Sequence, residues 1–158
     1  MFNRKIAAVA LAATVLLGTS ACSLTSDVPT LQMYAPSDGV DGDTASVAFR
    51  NFIVLTNGTA SELIGSAINT TQKPVNFSLS YQSATGAQTS NFTLKAGQKL
   101  DFGYNSSDAI ALANGKKPGE VTVIGASEGS ESIKFNAPVL DGTLSQYTDL
   151  VNSLGTAK

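Results

Sequence analysis

An antiparallel β-sandwich of about seven strands, closed by a short C-terminal helix, is the all-β fold that this chain predicts. Three observations carry it. Past residue 30 the sequence breaks into short β-prone runs punctuated by Gly, Asn, Asp and Pro, the spacing of a sandwich or barrel. Residues 75–81 alternate apolar and polar without a break. From residue 144 the apolar period changes from two to that of a helix.

Residues 46–56 (SVAFRNFIVLT) form the longest run, with Val47, Phe49, Ile53 and Leu55 on one side at period two. Phe52 and Val54 make the other side apolar as well, so this strand is expected at the centre of the sheet. Asn57-Gly58 offers the positive φ angles of a tight turn and leads into residues 63–69 (LIGSAIN) as an antiparallel partner. Val75, Phe77, Leu79 and Tyr81 are opposed by Asn76, Ser78 and Ser80, a strand with one buried and one wet face. Residues 91–94 and 99–104 follow, the second through Leu100, Phe102 and Tyr104, with Ala96-Gly97 turning between them. After a turn at Lys116-Lys117-Pro118-Gly119 come residues 120–126 and 131–136, a hairpin around Gly129. That count approaches an immunoglobulin-like sandwich. Leu144, Tyr147, Val151 and Leu154 fall at helical spacing with Leu150 beside them; Thr143 and Gln146 have capping-box spacing and Gly155 stands where a helix would end.

The N-terminus carries a separate signal. Arg4 and Lys5 precede an apolar run from Ile6 to Leu17, too short to span a bilayer, that ends in Gly18, Thr19, Ser20 and Ala21. Residues 1–21 read as a signal peptide cleaved after Ala21, and the next residue, Cys22, is the only cysteine. Leu17-Gly18-Thr19-Ser20-Ala21-Cys22 resembles the lipobox of bacterial lipoproteins, with Thr19 where an aliphatic residue is usual. The resemblance implies a diacylglyceryl group on the Cys22 sulfur, often with acylation of the new N-terminus. The alternative is an ordinary secretory signal that leaves Cys22 a bystander thiol, without a disulfide partner. Two or three acyl chains exceed the single-chain limit for stable anchoring. Residues 22–32 are then a lipidated N-terminus and a flexible tether rich in Ser and Thr, and residues 33–158 a domain on the extracytoplasmic face of the cell membrane.

Charge and absent residue types narrow the function. Removing the signal with Arg4 and Lys5 leaves 137 residues with eight basic and twelve acidic side chains, formally −4. This suits one domain and argues against nucleic acid and against a polybasic grip on anionic lipid. There is no His or Trp, and Met33 is the sole methionine of the mature part. With Cys22 acylated, the usual zinc and copper ligand sets are missing, and so are Ser-His-Asp and Cys-His catalysis. Asp108, Glu128 and Asp141 sit in turns as surface charge, with no spacing that suggests a glycosidase pair. Asp38, Asp41 and Asp43 concentrate carboxylates that suit a hard cation such as calcium, although their spacing departs from an EF-hand loop and a solvated turn competes with it. Asn-x-Ser/Thr triplets at Asn57, Asn69, Asn76, Asn91 and Asn105 fit a polar surface. Phe49, Phe52, Phe77, Phe92, Phe102 and Tyr104 read as core, which leaves Tyr34 and Tyr147 as the aromatic candidates for an exposed contact.

Residues 34–40 (YAPSDGV), 47–55 (VAFRNFIVL), 63–69 and 137–144 (APVLDGTL) with Tyr147 together resemble small actinobacterial surface lipoproteins. These are distantly similar to periplasmic copper chaperones with a cupredoxin-like or immunoglobulin-like sandwich. The resemblance implies the fold and the location. The chaperones' Met and His ligands have no counterparts here beyond Met33, so copper binding does not carry over. The expected function is a lipid-anchored, non-enzymatic, cofactor-free module that docks on another envelope component, first of all a protein. The alternatives are a carrier of a small or lipidic ligand held between the sheets, and a copper-chaperone-like protein that has lost its own metal ligands.

Overall fold

The computed structural model describes residues 37–103 and 110–155; Ala21, Cys22, the tether, Met33, Tyr34, Tyr104 and Asp108 lie outside them. Nine strands appear in chain order: β1 (Val40–Asp43), β2 (Val47–Thr56), β3 (Ser61–Asn69), β4 (Val75–Ser83), β5 (Gly86–Leu94), β6 (Lys99–Phe102), β7 (Ile110–Ala111), β8 (Val121–Glu128) and β9 (Glu131–Leu140). One helix, α1 (Thr148–Ser153), follows. The sheet order is β5-β4-β8-β9-β2-β3-β6, with β1 paired to β2 and β7 to β3.

This sheet folds over on itself. In a flat sheet its end strands β5 and β6 would lie about 29 Å apart, at six inter-strand spacings. The rings of Phe92 on β5 and Phe102 on β6 are instead 5.3 Å apart. The expected sandwich is therefore present, with β5-β4-β8-β9 facing β2-β3-β6. Phe49, Phe52, Phe102, Phe92 and Phe77 close a loop of contacts at 5.2–5.9 Å. Phe135 bridges Phe49 and Phe52 from β9. Edge-to-face and offset pairs of this kind add about 0.5–1.5 kcal/mol each beyond the area they bury.

Two details differ from the expectation. The halves are joined by a parallel step, Val54 to Val139 and Leu55 to Leu140, because β3 takes one edge of β2 along its whole length and β9 reaches the other edge beyond β1. The strand count exceeds seven because the acidic segment around residue 41 is itself a strand and β7 is a two-residue bridge; β5, already expected, also runs back to Gly86. Six of the β5 residues are Ala, Gln, Thr, Ser or Asn, types that give little apolar alternation to read.

The period-two reading of β2 also fails, for a local reason. Arg50 pairs with Ser66 but Ile53 with Ile64, so β2 carries one extra residue, a bulge. Asn51 lies at φ 55°, a conformation that Asn tolerates better than other side-chain residues. The bulge turns Val47, Phe49, Phe52 and Val54 into the sandwich and sends Ile53 and Leu55 to the opposite face. There they pack with Ile64, Tyr147, Val151 and Leu154 under the helix. Opposite the bulge, a Cβ on Gly65 would lie 2.5 Å from the Phe52 ring, and its φ of 141° disfavours any side chain.

The helix starts at Thr148, later than the apolar spacing implied, and its N-cap Tyr147 makes no side-chain cap bond. The expected capping box does not form, because both members hold other partners. The Thr143 N–H donates to Asp141 Oδ1 and the Gln146 side chain donates to Asp38. Gly155 does follow the helix at positive φ, and turns at Lys95–Gln98 and Lys117–Glu120 stand where the sequence put them.

Polar clasps hold the sandwich ends. Asn69, 1% exposed, donates through Nδ2 to the carbonyls of Lys73 and Lys95 and accepts from the Thr71 N–H. Glu128 accepts from the Thr44 hydroxyl and the Ser46 N–H, and Glu131 from the Ala45 N–H, so the β8–β9 hairpin tip fastens the β1–β2 turn. Burial pushes the Glu128 carboxyl up, but the hydrogen bonds from Ser46 and Thr44 together outweigh it and hold it below its ordinary value. Thr122, inward on β8 and 4% exposed, has a hydroxyl with no hydrogen-bond partner. Its desolvation is uncompensated, so Thr122→Val is expected to stabilise the protein by about 1 kcal/mol, read as a higher urea midpoint at unchanged slope. A lower midpoint would mean that the hydroxyl is satisfied.

Candidate functional site

Two surfaces can be built from the residues upward. The first surrounds the bulge, where the sequence had gathered Asp38, Asp41 and Asp43. Asp38 precedes β1 while Asp41 and Asp43 lie on it, and each carboxylate meets a different group. Asp38 accepts from the Tyr147 hydroxyl at 3.0 Å and from Gln146 at 3.2 Å. Asp41 accepts from the Asn51 N–H at 2.8 Å, and Asp43 pairs with Arg50. Among the described residues no three acidic, His or Cys side chains gather as a metal ligand set. The carboxylates instead fasten the bulge and the helix.

Beside them a shallow cleft is lined by Arg50, Asn51, Ser66, Lys99, Asp101 and Tyr147. Its charges are matched in pairs, Lys99 with Asp101 at 2.8 Å and Arg50 with Asp43. Tyr147, read from sequence as an exposed contact, is 8% exposed. The reason is that the helix carries its ring into the cluster beneath β2 and β3.

The second surface is the outer side of β5-β4-β8-β9, on which the sequence placed no site. On β4 the residues between Val75, Phe77 and Leu79 point outward, beginning with Asn76 and Ser78; on β5 Ala87, Thr89, Asn91 and Thr93 do so. On β8 the outward positions include Val121 and Val123, 60% and 53% exposed, while Thr122 and Ile124 are buried. Opposite them on β9 stand Pro138 and Asn136, with Lys134 opposite Gly125. Lys134 is the one formal charge on this face among the described residues. A groove crosses it at Gly125, where a Cβ would lie 2.3 Å from Ser80 Oγ. Ser80, Gln82, Thr89, Val123 and Lys134 are among the groove's lining residues. Sequence reasoning found the strand but not the face, because Val121, Val123 and Ile124 are all β-prone and apolar. Only the neighbouring layer decides which are covered.

No family model and no curated protein matches the chain. Among solved structures it is similar to one titled "Copper-bound PCuAC domain from PmoF2", with a TM-score of 0.47 and 10% identity over 64% of this chain and 97% of that one. The copper belongs to that domain. Here the whole chain lacks His, and Met1, Cys22 and Met33 all lie outside the described residues. The described residues therefore offer no imidazole, thiolate or thioether to a soft cation.

The surroundings of Tyr147 are testable by titration. Burial, followed by the hydrogen bond and charge of Asp38, pushes the Tyr147 phenol up to about 12, against an opposing hydrogen bond from Asn51. A group whose folded pKa is raised stabilises the fold below its ordinary pKa, near 10, and loses that contribution as pH climbs through the folded value. Stability is expected to fall between about pH 10 and 12, and Tyr147→Phe to flatten that part of the profile. Matching slopes for both proteins in chemical melts would refute the raised Tyr147 value.

Proposed function

We propose that this protein is a non-enzymatic docking module of the cell envelope, lipid-anchored at Cys22 to the extracytoplasmic face of the cell membrane, which engages another envelope protein through the outer face of β5-β4-β8-β9. The observation that carries the docking reading is the pairing of Val121 and Val123, more than half exposed, with a surrounding face that has Lys134 as its one charge. Depletion of charge around an apolar centre is the compositional mark of interface cores. Phenylalanine rings from both halves meet between the sheets, which favours docking over carriage of a ligand there. The anchor rests on the basic start, the short apolar run and the lone Cys22, and on the likeness to small surface lipoproteins.

Mass spectrometry of the native membrane-extracted chain is expected to find a mature N-terminus at Cys22 with added acyl mass; an unmodified Cys22 would remove the anchor. Val121→Asp with Val123→Asp is expected to weaken capture of the envelope partner by at least about tenfold, the equivalent of 1.4 kcal/mol. Both side chains are exposed, so the melting midpoint should stay in place. Capture no better than a control lipoprotein, or indifferent to the two substitutions, would count against this face.

A further inference from the structure

Strand β5 is an unguarded edge, and we infer that it pairs antiparallel with β5 of a second copy of this chain. Folded proteins protect sheet edges by keeping them short, by charge or proline, or by bulges. Four other edge segments follow that practice. At the far end of the sheet β6 has four residues and carries Lys99 and Asp101. β1 has four residues, two aspartates and a register shift between Val40 and Gly42. β7 has two residues, and the length of β9 not paired to β2 carries Glu131, Lys134 and Pro138. β5 stands apart: nine residues, GAQTSNFTL, without a charge or proline, pair continuously with β4 from Gly86 to Leu94 without a register shift. In an antiparallel ladder alternate residues turn their N–H and C=O groups away from the partner, so the far edge of β5 presents a row of donors and acceptors with the spacing of another strand.

The chemistry of that row favours a second copy. A two-fold axis through Ser90 sets Thr89 across from Asn91 of the other copy and Gln88 across from Phe92. Such an arrangement is isologous, with every contact made twice. The chain is net negative, yet a copy approaching along β5 meets no like charge. Phe92 is only half-buried and Gln88 is exposed, so the pairing covers the open side of the ring. A foreign peptide added to an edge takes its specificity from pockets for alternate side chains, and Asn76, Ser78, Ser80 and Gln82 on the adjoining β4 build no apolar pocket. The pairing joins two outer faces into one eight-stranded surface, but its existence does not depend on what that surface binds.

The test uses the full-length chain, with its mass followed by sedimentation and native mass spectrometry over roughly 1 to 500 µM. The natural chain is expected to pass from monomer to dimer. Thr89→Lys with Asn91→Lys, both at exposed positions, sets like charges against each other across the axis. It should weaken association at least about tenfold at an unchanged melting midpoint. Thr89→Lys with Asn91→Asp sets opposite charges across the same axis and should restore it, which separates β5 pairing from mere co-residence in a detergent micelle. A natural chain that stays monomeric throughout overturns the inference. So does a dimer indifferent to the lysine pair, which would place the contact elsewhere. Concentration-independent protection, in a monomer, of those alternate β5 amides that turn away from β4 would point to a different strand as occupant and would overturn it too.

Discussion

The extra residue at Asn51 is the constraint on which the remaining architecture depends. A strand without a bulge puts Phe49 and Phe52 on opposite faces, because side chains alternate strictly. The bulge brings both rings to one face, where they close the loop of phenylalanines between the halves, and it turns Ile53 and Leu55 outward to seat the helix. Three groups make this tolerable: Gly65, which leaves room for the Phe52 ring; Asp41, which accepts the Asn51 N–H; and the Asn51 side chain, which accepts the Gly39 N–H at 3.0 Å. The bulge thus couples two cores that lie on opposite sides of β2 and β3.

The same constraint explains why the acidic segment is structural. Once β2 kinks, the start of the domain must follow it, and the carboxylates of residues 38, 41 and 43 go to the helix, the bulge amide and Arg50. Polar chemistry concentrated in residues 38–43 is absorbed in fastening this segment to the bulge and, through Asp38, to Gln146 and Tyr147. The opposite layer meets such a demand at its hairpin tip, where Glu128 and Glu131 hold the β1–β2 turn. Its outer side is left with mostly uncharged side chains around Lys134, two exposed valines and an open edge, and these features carry the proposals made for it.

Much of this was legible in the residues. The strict alternation from Val75 to Tyr81 reports one buried and one wet face, and that is how β4 sits. Asn57-Gly58, Ala96-Gly97 and Gly129 mark real reversals, since backbone conformations that favour glycine are local properties. The two apolar sides of residues 47–55 announced a central strand. What stayed hidden was non-local. The bulge depends on which residue of β3 stands opposite Asn51. The true helix start depends on Asp38 and Asp141 drawing Gln146 and the Thr143 N–H away from a capping box. The burial of Tyr147 depends on the underside of β2 and β3 needing cover.

The sequence by itself determined the fold class, the turn positions, the low charge and the missing soft donors, all of which follow from residue type and short-range spacing. It also raised the expectation of an anchor at Cys22. Only the tertiary structure decided which valines of β8 face outward, which carboxylates are already engaged, and which edge of the sheet is left open. Those outcomes depend on strand order and on how far the sheet folds over, and strand order is set by contacts between residues far apart in the chain, which no local pattern encodes.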